Sequence, residues 1–178
     1  MATPFRLFLL YLSALLLSAD ASAQQLSFGN WSIGPTSSGA GFYASTVNDS
    51  GHLLGRYCFG SDSCVYLLGI STACTKGQRY PVLVNATTGS KTLEVFCNGP
   101  MEGGKKYQYV FTAFDQIQQV ILQATKVGFA LPLAGTAFTV IPFSLVGSNE
   151  AIAAMSAALI ASTSPATAQK RSTRDGAL

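Results

Sequence analysis

His52 is the single histidine of this 178-residue chain, and Asp49 stands three residues before it. A carboxylate that reaches an imidazole orients the ring and stabilises its protonated form, which is how a general base is built. Such a pair would serve a periplasmic hydrolase. Asn48, Asp49, Ser50 and Gly51 are also standard turn formers, so the same stretch reads as a solvated turn. No serine or cysteine nucleophile is placed beside them, and no catalytic residue is assigned. A second constellation is cationic. Lys76, Arg79, Lys105 and Lys106 fall in loops flanking a hairpin. Gathered together, they would hold an anion or an acidic protein surface. Asp62 sits between Cys58 and Cys64, where a carboxylate either makes the turn or meets a cation. Tyr43, Tyr57, Tyr66, Tyr80, Tyr107 and Tyr109 serve recognition where exposed and cross-strand packing where not.

The cysteines carry the firmest chemistry. There are four, Cys58, Cys64, Cys74 and Cys97. No two have C-x2-C spacing and His52 has no second ligand beside it, so no metal site is expected. No cofactor is expected either. An even number of cysteines in an exported chain points to disulfides. Three pairings are open; Cys58–Cys64 across a tight turn and Cys74–Cys97 around the hairpin is the preferred one.

Export is read from the N-terminus. Arg6 precedes an apolar run from Leu7 to Leu17, and Ala21-Ser22-Ala23 gives a small-x-small cleavage pattern. Residues 1–23 therefore read as a signal peptide. The run is shorter than the ~20 residues a bilayer span needs, so no membrane span is expected after cleavage. Residues 24–162 then form one domain, large enough for a hydrophobic core. Residues 163–178, rich in Ser, Thr, Pro, Lys and Arg, read as a disordered tail. The formal net charge of +3 owes much to that tail. No basic stripe interleaved with aromatics is present, which argues against a nucleic-acid partner.

The elements that would position these residues are mostly strands. Leu26–Ile33 alternates apolar and polar residues, as a half-buried strand does. Phe42–Val47 and Leu53–Phe59 flank the His52 turn, and Cys64–Ile70 follows. Pro81–Ala86 and Lys91–Cys97 form a hairpin about Thr87–Ser90. In that register Val84 faces Leu93, Val82 faces Val95, and Cys97 points inward. A short strand is expected at Tyr107–Phe111. A helix follows over about 113–126, capped by Thr112 and ended by Gly128, with Phe114, Ile117, Val120, Ile121 and Ala124 on one face. Phe129–Leu133 and Phe138–Val146 read as edge or bulged strands because of Pro132 and Pro142. Ser148 or Asn149 caps a closing helix from Glu150 to about Ser162. The fold class is β-rich α+β: six to nine antiparallel strands in a sandwich or curled sheet, with a covering helix and a C-terminal helix.

The segments Val127-Gly-Phe-Ala-Leu-Pro-Leu133 and Phe138-Thr-Val-Ile-Pro-Phe-Ser-Leu145, with Gly147 and Ala151-Ile152, resemble the C-terminal half of the invasion-associated locus B family of small exported bacterial proteins. The resemblance implies a periplasmic or secreted β-sandwich-like protein without known catalysis, linked in some members to host association. It carries over no catalytic residue. The leading expectation is a non-enzymatic binding or accessory protein of the bacterial envelope or extracellular space, with a protein partner; an enzyme inhibitor is one concrete form. The alternatives are the His52 hydrolase and a surface-assembly subunit.

Overall fold

The computed structural model describes residues 26–60, 63–132 and 138–163. The signal segment, Asp62 and most of the C-terminal tail lie outside the described residues. Ten strands form one antiparallel sheet with two helices: β1 (Leu26–Phe28), β2 (Trp31–Pro35), β3 (Gly41–Val47), β4 (Leu53–Phe59), β5 (Ser63–Ile70), β6 (Arg79–Ala86), β7 (Gly89–Pro100), β8 (Tyr107–Phe111), α1 (Phe114–Gln123), β9 (Lys126–Pro132), β10 (Phe138–Ser144) and α2 (Ser148–Thr163). The class is the expected β-rich α+β, built as one sheet.

Strand order is β1-β2-β3-β4-β5-β8-β7-β6-β9-β10. Strands β1 to β5 are a simple meander. The chain then crosses three positions to β6 and returns inward, so β8 lands beside β5. The sheet curls until its last strand reaches its first hairpin. The Asn30 amide donates to Val146 O at 3.0 Å, the Trp31 indole N–H to Ser144 O at 3.2 Å, and the Asn48 carboxamide to Pro142 O at 3.0 Å. These bonds seal one seam between β10 and the β1–β2–β3 corner.

Strand alternation explains the core. Val82, Val84, Leu93, Val95, Phe129, Leu131, Ile141 and Phe143 all point to one side and are buried. Helix α1 adds Ile117, Val120 and Ile121, and α2 adds Ala151, Ile152, Met155 and Leu159 to the same cluster. Neither Ser148 nor Asn149 caps α2. The Ser148 hydroxyl donates to Ile121 O and the Asn149 carboxamide to Leu122 O, tying α2 to the end of α1.

Three local expectations are corrected. The stretch 26–33 is a hairpin, because Gly29 turns the chain at φ +56°. The β6–β7 turn holds only Thr87 and Thr88. Val84 therefore faces Lys91 and Val82 faces Leu93, with Gly89 at φ +127°. Helix α1 stops at Gln123, and Gly128 lies inside β9; Thr112 donates its hydroxyl to Glu94 O instead of capping the helix.

Candidate functional site

The β3–β4 turn is organised by Asn48, whose side-chain oxygen accepts the backbone N–H of Ser50 and of His52. Gly51 at φ +75° lets the chain double back. His52 is half-buried, and its Nδ1 has no hydrogen-bond partner among the described residues. Burial, and secondarily the positive Lys106, hold its pKa below 6.5. The charged neighbour of His52 is therefore a cation and not a carboxylate, while Asp49 is exposed on a groove described below. The turn reading fits this geometry.

A linked pH effect follows. The folded state binds the His52 proton less tightly than the unfolded chain, so stability is full above about pH 6.5, the unfolded value, and declines as pH falls through it. The decline ends below the folded pKa. His52→Gln is expected to flatten this part of the stability–pH curve, measured by urea unfolding between pH 5 and 8. An unchanged curve would remove His52 as its source.

The four loop cations do not converge. Arg79 pairs with Glu94 at 2.5 Å on the surface, a contact of small energetic value. The side chain of Lys76 lies beside Gly99. Lys106 acts on His52 through its charge, and Lys105 is exposed in the loop after β7. The cysteines are bridged as Cys58–Cys64 and Cys74–Cys97, as suits an oxidising compartment. The first joins directly paired residues of β4 and β5. The second pins the β5–β6 crossover to β7. Tyr66 and Tyr109 are core residues, and Tyr43 stacks on Tyr57 with ring centres 5.7 Å apart.

Three features escape a linear reading of the chain. The first is an open groove of about 760 Å³ at the seam. Asn48, Asp49, Asn85, Thr87, Lys126 and Ser144 line it, and Gly128 forms a notch between Asn85 and Pro142. Its residues come from five separated segments, so no local motif announces it. The second is an arginine on the core face of β4. Arg56 alternates with buried Leu54 and Cys58 and sits opposite Tyr66. That inward arginine was the one available signal. The third is an apolar row on the outer face, Leu83–Ala130–Val140, across β6, β9 and β10. Val140 is 67% exposed, and Phe138 on the same strand is 69% exposed. Both stand on the terminal strand of the sheet, which among the described residues pairs only with β9.

No protein-family model matches the chain, and no curated protein matches it. Among solved structures, the fold matches invasion associated protein b from Bartonella henselae. The match has a TM-score of 0.50 and 16% sequence identity, and covers 78% of this chain and 96% of that one. At that identity the likeness is one of fold: this chain is built like an invasion associated protein of a bacterium.

Proposed function

We propose that this chain is an exported bacterial accessory protein that acts by binding a protein partner, in a role of the host-association kind. The observation that carries the reading is the terminal strand β10. Its Phe138–Ile141 half is a sheet edge with no charged residue and two strongly exposed apolar side chains. Sheet edges are ordinarily blunted by lysine, bulges or cover. An uncharged edge beside the apolar row Leu83–Val140 suits an extended, apolar partner segment added as a further strand. The likeness in fold to an invasion associated protein and the oxidised cysteines support the setting. The cation beside His52 counts against the hydrolase reading.

The test is Phe138→Lys with Val140→Lys. Both sites are surface positions, so the variant is expected to keep stability within about 0.5 kcal/mol. The oxidised protein and the variant are each used to capture partners from envelope and secreted fractions. The reading requires a partner held by the parent protein and lost, or weakened at least tenfold, by the variant. Equal capture and equal affinity would refute it. Self-association of the parent alone, seen by sedimentation, would move the assembly reading ahead.

A further inference from the structure

Three buried side-chain polar atoms make no well-formed hydrogen bond among the described residues, and two of them are neighbours that interact with each other: Arg56 Nε and the Tyr66 hydroxyl. Both belong to one row on the core face of β4 and β5, next to the Cys58–Cys64 row. Tyr66 is completely buried. The other guanidinium nitrogens have only neutral, distant acceptors. Nη1 reaches Gln118 Oε1 at 3.4 Å, and Nη2 reaches Cys64 Sγ at 3.5 Å. The guanidinium carbon stands 5.3 Å from the centre of the Phe114 ring. Among the described residues the single ion pair is Arg79–Glu94, so no carboxylate meets Arg56.

This is an imbalance of a definite kind. A guanidinium offers five N–H donors and no acceptor; the Tyr66 hydroxyl can accept one of them and still has its own proton to donate. Withdrawing such a cation from water is costly unless a counter-charge and hydrogen bonds repay it. The Phe114 ring face repays only part. What the constellation lacks among the described residues is a negatively charged acceptor.

We propose that Arg56, with Tyr66 beside it, anchors a binding site for an oxyanion, a carboxylate or phosphate group carried by a small ligand. The planar fork of arginine matches both groups. Burial pushes the Tyr66 hydroxyl up to about 12 against the opposing effect of Arg56, so it remains a neutral donor at any ordinary pH. Arg56, Phe114, Cys64 and Gln118 are each partly exposed, which gives the guanidinium edge an approach from solvent. Gln118 can turn its NH2 toward the anion and add a donor. The site lies on the core face of β4 and β5 and shares no residue with the exposed β10 edge, so either proposal stands if the other fails.

The experiment uses the full chain, expressed with its own N-terminal segment and purified oxidised. Inorganic phosphate and acetate are titrated separately at constant ionic strength against chloride. The readouts are the thermal midpoint and the arginine Nε–H resonances in nitrogen-15 NMR. A saturable shift of the Arg56 Nε–H signal is expected with one anion or both. Response to phosphate alone assigns a phosphate ligand, to acetate alone a carboxylate ligand, and to both a general oxyanion site. Arg56→Met should abolish the midpoint response, and Tyr66→Phe should weaken binding about tenfold, the equivalent of one good hydrogen bond. Arg56→Lys keeps the charge without the fork and should bind less tightly. It also serves if Arg56→Met does not fold. No saturable shift in the parent protein, or an equal response in an Arg56 variant, overturns the proposal.

Discussion

Replacing Cys74 and Cys97 together by alanine is expected to cost about 3 kcal/mol of stability, from the loop-entropy relation for a cross-link of this span. The bridge closes a separation of 23 residues, against 6 for Cys58–Cys64. By the same relation the shorter bridge contributes only about 2 kcal/mol. The longer one also does what no ladder does. Strand β6 lies three places from β5, so the chain between them must cross β8 and β7. Cys74 fastens that crossover to a cysteine that is itself completely buried. The remaining ties are few: Gly77 N–H to Cys97 O at 2.7 Å, Cys97 N–H to Gln78 O at 2.9 Å, and the Tyr109 hydroxyl to Thr72 O at 3.1 Å. In a domain of this size 3 kcal/mol lowers the melting temperature by roughly 6–12 °C. Alanine is chosen because a serine at Cys97 would bury an unmatched hydroxyl. Urea unfolding gives the free energy, and hydrogen exchange at Gly77 reports whether the crossover loosens first. A loss no larger than that of Cys58→Ala with Cys64→Ala would mean that the ladders, and not the bridge, hold the crossover.

The inward face of the β6–β7 hairpin was readable from alternation alone, although its register was not. The turn has two residues instead of four, so each partner slides by two, and Val82, Val84, Leu93, Val95 and Cys97 keep their faces. A slip of two preserves pleat parity, whereas a slip of one would have turned the core outward. Turn chemistry explains the other departures. Gly29 reverses the chain inside a stretch whose alternation continues through it, so periodicity alone joins the two strands. Gly128 resembles a helix stop, but Gly in a strand also leaves space, and here it opens the floor of the groove. The candidate sites were harder. Arg56 and Tyr66 meet only because the β4–β5 turn sets their register, and Gln118 and Phe114 arrive from a helix about sixty residues away in sequence. The groove depends on the seam, which joins segments nearly a hundred residues apart.

Gly147→Ala is expected to be the most damaging single methyl that can be added at this seam. Gly147 sits at φ +88°, where a side chain costs about 1–2 kcal/mol on conformational grounds. A Cβ there would also stand 1.8 Å from Phe28 O and 2.4 Å from Phe28 C. Both are backbone atoms and cannot rotate away. The facing residue is built the same way: Gly29 has φ +56°, and its own Cβ would come within 2.7 Å of Val146 O. The two backbones pass so closely because Asn30 N–H binds Val146 O and the Trp31 indole binds Ser144 O. Relieving the clash means giving up these bonds and displacing the start of α2. A cost above about 3 kcal/mol is expected, a large part of the total for any domain. Gly51→Ala is the control. Its φ of +75° imposes a similar conformational cost, but nothing lies within 4 Å of the added atom. The difference between the two variants measures the seam itself. Trp31, 1% exposed beside it, reports the same event through a red-shifted emission if the seam opens. Equal losses in the two variants, with Trp31 emission unchanged, would mean that the strands do not close this tightly. With the seam loosened, the walls of the groove from β3 and β10 would no longer hold a fixed spacing.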